Sequence, residues 1–118
     1  MKKQNVMRYG AWLIAFALPL SVSAGDVERG AALWTQAGTV VDGKVRTCAT
    51  CHGKDPAAKG RHIRTGKTIE PMAPRVQADR LSDPAKIDKW FRRNCKWTWG
   101  RECSADEKSD FIAYLRAQ

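Results

Sequence analysis

Two cysteines and a histidine at short, fixed spacing are the residues of this 118-residue chain whose chemistry is most specific. They form the run Cys48-Ala49-Thr50-Cys51-His52. At this spacing each thiol can add to one vinyl group of haem, and the histidine that follows is delivered to one side of the iron. The run therefore predicts one haem c, attached covalently through Cys48 and Cys51, with His52 as the proximal iron ligand.

The two remaining cysteines help to separate haem from other uses of a Cys-x-x-Cys pair. A thioredoxin-like redox pair would lie in a βαβ pattern, which the sequence lacks. A zinc site would need a second close pair, whereas seven residues separate Cys95 from Cys103. In an oxidising compartment these two cysteines instead predict a disulfide.

The amino-terminal residues have the composition of an export signal. Three basic residues precede an apolar run over residues 11–20, and Val22-Ser23-Ala24 offers small side chains for cleavage. The apolar run is about half as long as the roughly 20 residues that a membrane span needs. We therefore predict a cleavable signal peptide over residues 1–24 and a soluble, periplasmic monohaem domain over residues 25–118.

Three helical stretches are predicted to position the chemistry. Apolar residues at helical spacing place them at about Val27–Gln36, Pro84–Asn94 and Ala105–Ala117. Each follows a side chain that can cap it, namely Asp26, Asp83 and Ser104. Strand signals are sparse, apart from a possible short hairpin around Asp42-Gly43. The predicted fold class is all-α.

The ligand opposite His52 decides between electron transfer and gas binding, because a closed iron shuttles electrons and an open iron also binds small molecules. Met72 offers a soft thioether, which favours ferrous iron and suits an electron carrier. It lies only 20 residues after His52, so the chain has little room to return around the haem, and a hydrophobic haem contact is its other role. His62 is the second candidate, but it lies only ten residues after His52, within a basic stretch, so the connecting loop would be shorter still.

Asn94 is the third candidate for that position. It ends the apolar stripe of the second predicted helix, in which Trp90 and Phe91 are expected haem contacts. A buried amide needs a partner, and haem iron would be one. An asparagine at a helix carboxyl end is equally consistent with a capping role. The pattern alone leaves the choice between Met72 and Asn94 open.

Several short segments together resemble the SHP family, the sphaeroides-haem-protein-type cytochromes c. The segments are Arg64-Thr65-Gly66-Lys67, Asp79-Arg80, Lys89-Trp90-Phe91-Arg92-Arg93-Asn94-Cys95, Gly100-Arg101-Glu102-Cys103 and Glu107-Lys108. The resemblance covers nearly all of the predicted mature chain. Within it, the Arg-Asn-Cys run with a second cysteine eight positions on is far more specific than the haem motif.

The resemblance implies a class I cytochrome c-like fold, with three main helices wrapped around one covalent haem c. It implies that Asn94 is the sixth ligand of ferric iron, beside a Cys95–Cys103 disulfide, and that Asn94 leaves the iron on reduction. The ferrous haem then binds O2, NO or CO. The expected electron donors are a dihaem cytochrome c and a membrane b-type cytochrome.

Two other functions stay open. One is a plain electron-transfer cytochrome with Met72 as a permanent sixth ligand, and the other is a haem reductase of O2, peroxide or nitrogen oxides, for which no catalytic residue is predicted. The predicted mature chain keeps 18 of the 21 basic residues and all 12 acidic ones, so its formal net charge is 18 − 12 = +6. A basic surface suits an acidic protein partner or an anionic membrane face, and export makes nucleic acid an unsuitable partner. Basic residues that could pair with the haem propionates are Arg61, Arg64, Lys67 and Arg80.

Overall fold

A computed structural model describes residues 24–118, so the predicted signal peptide lies outside the described residues except for Ala24. Four helices occur in this part of the chain: α1 (Val27–Thr35), α2 (Cys48–His52), α3 (Pro84–Trp99) and α4 (Ala105–Arg116). Two very short strands, β1 (Gly60–Arg61) and β2 (Thr68–Ile69), pair antiparallel. The predicted all-α class is confirmed. No helix of the described region is long and apolar enough to cross a membrane.

The predicted caps form at the helix starts. The Asp26 carboxylate accepts a hydrogen bond from the backbone N–H of Arg29, at 3.0 Å. Ser104 and Glu107 form a capping box, in which each side chain accepts from the backbone N–H of the other, at 3.1 and 2.8 Å. These bonds satisfy N–H groups that have no partner inside the helix, and thereby fix where α1 and α4 begin.

Helices α1 and α4 cross at very close range. A Cβ at Gly30 would collide with the backbone carbonyl of Asp110 and with the Tyr114 side chain. The buried Asp110 carboxylate also accepts hydrogen bonds from the Asp26 backbone N–H (2.7 Å) and the Arg29 guanidinium (3.1 Å). Because only glycine lets the two backbones approach this far, Gly30 sets the geometry of the crossing.

Helix α3 is longer than the sequence pattern predicted. The predicted end at Asn94 is wrong, because the helix continues through Trp99. It ends at Gly100, which adopts a left-handed conformation (φ 70°) and donates its N–H to the Lys96 carbonyl at 2.9 Å. Glycine at this position is a strong stop signal. Asn94 therefore lies inside the helix and does not cap it.

Strand structure also differs from the prediction. Around Asp42-Gly43 there is a single antiparallel bridge between Val41 and Lys44, in place of a regular hairpin. Both turn residues have positive φ, 52° and 71°, as a tight two-residue turn requires. The pairing of β1 with β2 was not predicted, because two residues per strand leave no alternating pattern to read.

The core is small and mostly aromatic. Its buried members are Trp34, Cys95, Trp99, Cys103, Phe111 and Leu115, which come from α1, α3, α4 and the α3–α4 connection. Phe111 lies at its centre, with ring centroids 6.5 Å from Trp34 and 5.8 Å from Trp99. The core thus joins the three longer helices along one side of the cavity described below.

Candidate haem site

The Cys-x-x-Cys-His run forms the short helix α2. Thr47 caps it, accepting from the Thr50 backbone N–H at 3.1 Å while its own N–H donates to the Thr50 hydroxyl at 2.9 Å. Residues three apart lie on the same side of a helix, so the half-buried Cys48 and Cys51 share one face. The cap therefore presents two thiols together, with His52 at the end of the same turn.

One cavity of about 1140 Å³ collects the residues that the sequence singled out. It is lined by Cys48, Cys51, His52, Met72, Trp90, Phe91 and Asn94. His62, Arg64 and Arg80 also line it, whereas Arg61 and Lys67 do not. This volume exceeds the 300–1,000 Å³ or so of typical small-molecule sites, so there is room for a large planar cofactor.

His52 is held as a neutral imidazole against α1. Its Nδ1 is buried and has no hydrogen-bond partner among the described residues. Burial, with added repulsion from Arg80 and His62, lowers the pKa of His52 to about 4. Its ring lies 5.5 Å from the Trp34 ring, and the Trp34 Nε1–H donates to the Gly53 carbonyl at 2.9 Å. A neutral, half-buried imidazole that lines the cavity is a suitable iron ligand.

The Cys48 thiol lies in an apolar environment. Burial raises its pKa to about 12, so the group is uncharged at neutral pH. Cys48 packs against the aromatic core together with Ala49. Such surroundings suit a thioether, which is neutral and apolar, better than a charged thiolate ligand of a metal ion.

Asn94 and Met72 both reach the cavity wall, in different structural settings. Asn94 is half-buried in the middle of α3, and its side-chain amide makes no hydrogen bond within residues 24–118. Met72 belongs to an irregular segment that is fixed by its backbone, since the N–H groups of Met72 and Ala73 both donate to the Pro56 carbonyl, at 2.8 and 3.0 Å. The Met72 side chain packs against the core. The amide is thus the group that still needs a partner.

A disulfide joins Cys95 to Cys103, whose Cα atoms are 5.7 Å apart. Cys95 directly follows Asn94, and Cys103 directly precedes Ser104, the cap of α4. Both cysteines are buried in the core. The bond therefore fixes the last turns of α3, with the neighbouring Asn94, relative to the start of α4.

Sequence reasoning missed two contacts on the cavity wall, which join three residues. Arg46 is buried, and its guanidinium lies 4.5 Å from the centre of the Trp97 ring. The same Trp97 ring stacks on His62, with centroids 5.1 Å apart and planes 19° apart. These residues are far apart in the sequence and carry no motif, so no local pattern could have indicated that they meet.

Taken together, these groups fit a covalently attached haem. Two half-buried thiols share one helix face, a half-buried neutral imidazole follows them, and an unpartnered amide lies on another wall of the same cavity. Aromatic side chains, including Trp90, Phe91 and Trp99, supply a largely apolar lining. His52 would hold the iron, and Cys48 and Cys51 would hold the porphyrin edge.

Comparisons with known proteins agree with this interpretation. Residues 21–115 match a family described as a domain of unknown function (DUF1924). The chain is 42% identical to the cytochrome c-type protein SHP of Cereibacter sphaeroides over 108 residues, which are 92% of this chain and 83% of that protein. It is 47% identical to cytochrome c'' of Methylophilus methylotrophus over 73 residues, which are 62% of this chain and 51% of that protein.

Solved structures give the same result. The structure of oxidised SHP, described as an oxygen-binding cytochrome c, superposes with a TM-score of 0.75 at 44% identity and covers 80% of this chain and 83% of that one. Oxidised cytochrome c'' from Methylophilus methylotrophus superposes with a TM-score of 0.73 at 38% identity, over 80% and 77% of the two chains. The fold is therefore the class I-like cytochrome fold that the family resemblance implied. The chain belongs to the SHP family of monohaem c-type cytochromes.

Proposed function

We propose that this protein is a periplasmic cytochrome that accepts an electron and, once reduced, releases Asn94 so that the ferrous haem binds O2, NO or CO. The Asn94 amide carries this proposal. It is half-buried, lies in the interior of a helix, faces the cavity and makes no side-chain hydrogen bond in the described part of the chain. Since α3 continues for five more residues, a capping role does not account for the asparagine.

The haem supplies an iron that changes its charge by one electron and, when ferrous, has affinity for neutral diatomic gases. Asn94 offers its amide oxygen, a hard and weak donor that matches ferric better than ferrous iron. Reduction of the iron would therefore weaken its bond to the Asn94 amide oxygen. Once released from the iron, the Asn94 side-chain NH2 group would be able to donate a hydrogen bond to a molecule bound in the same cavity.

The surroundings of Asn94 support a small, uncharged guest. Ile87 and Phe91 precede it on the same helix, at positions seven and three residues earlier, and both line the cavity. An apolar wall offers no partner for an anion, because burying a charge without a partner is costly. The relative SHP is itself described as an oxygen-binding cytochrome c, which supports the gas-binding role.

Met72 supports a second candidate, a plain electron carrier with a permanent thioether ligand. It lines the same cavity, and its backbone is fixed by the hydrogen bonds to Pro56. A soft ligand of this kind would stay bound in both oxidation states. The protein would then have no opening for a gas molecule.

Ferric absorption and electron paramagnetic resonance spectra of two matched variants separate the candidates. We expect Asn94→Ala to change the ferric spectrum, and Met72→Leu, which conserves volume, to leave it close to wild type. Alanine favours a helix interior, so far-UV circular dichroism should show that α3 persists. A ferric spectrum that changes in Met72→Leu and not in Asn94→Ala would establish the electron carrier instead.

For the electron donor, we propose a dihaem cytochrome c, acting with a membrane b-type cytochrome. Trp90 supports an entry point on α3, because its side chain lines the cavity and is also 48% exposed. The Lys89 ammonium and the Arg93 guanidinium lie 5.8 and 5.2 Å from the Trp90 ring, and neither has a carboxylate partner in the described region. An exposed aromatic residue flanked by unpaired cations suits an acidic partner surface.

Reduction rates with small complexes of opposite charge test this entry point. In a Lys89→Glu/Arg93→Glu double variant, we expect slower reduction by the iron(II)–EDTA dianion and faster reduction by the hexaammineruthenium(II) dication. The control is Lys44→Glu/Lys54→Glu, which reverses two exposed lysines that do not line the cavity. Equal effects of the two double variants would mean that the electron does not enter beside Trp90.

A further inference from the structure

Arg46 is a buried cation without an anionic partner. It is 5% exposed, and it is the one buried basic side chain among residues 24–118. One terminal nitrogen donates to the Val41 carbonyl at 3.0 Å, while its Nε is buried and has no hydrogen-bond partner in the described part of the chain. No described carboxylate forms a salt bridge with it. A buried guanidinium in this state is costly unless an anion meets it.

The guanidinium is held against a stack of two aromatic rings. It lies over the Trp97 ring, which in turn stacks on His62. The His62 ring is itself fixed, because its Nδ1 accepts from the backbone N–H groups of Arg64 and Thr65, both at 3.3 Å. An arginine restrained by such a stack loses little further freedom when it binds a planar anion.

Arg46 also faces the place where an anion is expected. It lines the cavity and precedes Cys48 by two residues. Haem carries two carboxylates, and a guanidinium can donate two parallel hydrogen bonds to one of them.

Arg80 and Arg64, the two cavity arginines that the sequence suggested, are less suited to that role. Arg80 lines the cavity, but it donates from Nε to the Pro71 carbonyl at 2.8 Å and from a terminal nitrogen to the Glu70 carbonyl at 3.0 Å. Arg64 lines the cavity but is exposed, so water solvates it. Arg61 and Lys67, which the sequence also suggested, do not line the cavity.

We propose that Arg46 binds a carboxylate of the haem, and that Trp97 and His62 hold the guanidinium in position for it. The proposal rests on the haem attachment inferred above. A protein without covalent haem would refute that attachment, whereas a loaded protein whose haem carboxylates ignore Arg46 would refute this proposal alone.

Infrared spectroscopy of the haem carboxylates tests the contact directly. Growth on 13C-labelled 5-aminolevulinate places the label in the haem carboxyl groups of the loaded protein, and a ferric-minus-ferrous difference spectrum then locates their stretching bands. We expect Arg46→Gln to shift one labelled band and Arg46→Lys to shift it by less, because lysine keeps the charge and loses the fork. Arg64→Gln is the matched control, and it should leave that band in place.

Two outcomes would overturn the proposal. The first is an unmoved labelled band in an Arg46→Gln protein that retains the Soret absorbance and tryptophan circular dichroism of the wild type. Arg46 would then only pack on Trp97. The second does not depend on the Arg46→Gln protein. Solid-state double-resonance NMR between 15N-arginine and the 13C haem carboxyl should show coupling in wild type and in Arg64→Gln, and weaker coupling in Arg46→Lys. Coupling of the same strength in all three would assign the carboxylate to a different arginine.

Discussion

The Trp34 indole donates a hydrogen bond to the carbonyl of Gly53, the residue that directly follows His52, at 2.9 Å. The two aromatic rings, of Trp34 and His52, lie 5.5 Å apart. Helix α1 therefore supports the end of α2 from behind, through one polar and one aromatic contact. His52, the proposed proximal ligand, is thus positioned by a residue that comes 18 positions earlier in the sequence.

Replacing Trp34 with phenylalanine should therefore weaken the protein. The substitution removes the bond to Gly53 and part of a side chain that is 4% exposed, so we expect a loss of about 2 kcal/mol in the free energy of unfolding. Urea unfolding of the haem-loaded protein measures it. The control is Trp90→Phe, at a tryptophan that is 48% exposed, which should cost less than half as much. Equal losses of stability in the two variants would show that the contacts of Trp34 with Gly53 and His52 do not stabilise the fold.

Gly30→Ala should destabilise, although alanine normally favours a helix. The added methyl group would collide with the Asp110 carbonyl, and separating α1 from α4 should cost about 1–3 kcal/mol. The matched control is the reverse exchange, Ala32→Gly, at an exposed position of the same helix, which should cost about 0.5–1 kcal/mol through backbone freedom alone. Thermal unfolding of both variants measures the difference. A Gly30→Ala protein more stable than wild type would contradict the close crossing.

Removing the Cys95–Cys103 disulfide should lower stability by about 2–3 kcal/mol, as expected for closure of a short loop. Because Asn94 directly precedes Cys95, the ferric spectrum of a Cys95→Ala/Cys103→Ala protein should also become a mixture of coordination states. Denaturant unfolding and the ferric spectrum are the two measurements. The wild-type protein in dithiothreitol should give a similar loss of stability. A wild-type protein whose stability is unaffected by dithiothreitol would show that the bond does not contribute.

Acid should weaken the start of α4 through Glu107. Hydrogen bonds from Arg101, at 2.8 and 2.9 Å, and from the Ser104 backbone and hydroxyl lower the pKa of this carboxyl from 4.5 to about 2. Since the folded-state pKa is the lower one, the carboxylate stabilises the fold above pH 4.5, and this contribution is lost as the pH falls toward 2.

Comparing Glu107→Gln with wild type at pH 7, 4.5 and 3 measures that contribution. The stability gap between the two proteins should be largest at pH 7 and should shrink on acidification. Glu28→Gln is the matched control, since Glu28 is an exposed first-turn carboxylate of α1 without an ion pair in the described residues. The difference in stability between Glu28→Gln and wild type should be the smaller one at every pH. If the stability difference between Glu107→Gln and wild type grew as the pH fell, the lowered pKa of Glu107 would be contradicted.

The parts of the site that lie close together in the sequence were predictable, and the parts that depend on tertiary contacts were not. The spacing of Cys48, Cys51 and His52 carries its own chemical reason, and the caps at Asp26 and Ser104 follow local rules. The end of α3 was misplaced because the predicted apolar stripe ends at the polar Asn94, whereas Cys95 and Trp99 continue it in the structure. Only Gly100, six residues later, marks the true end.

Arg46 illustrates why contacts between distant segments could not be predicted from the sequence. Nothing in the neighbouring sequence distinguishes it from the other arginines of this basic chain. Its burial depends on Trp97 in α3, and the Trp97 ring also depends on His62 between β1 and β2. Three segments must be folded together before the unpaired guanidinium becomes apparent.

The release of Asn94 on reduction is tested most directly by the visible spectrum of the haem-loaded protein during anaerobic reduction, followed by addition of CO. Asn94 gating predicts a high-spin ferrous spectrum, and CO should bind rapidly because no ligand must first leave. The Asn94→Ala protein should give the same ferrous spectrum, since the amide no longer contacts the iron in that state. A low-spin ferrous spectrum that does not respond to CO would contradict the account, and would indicate a permanent ligand such as Met72.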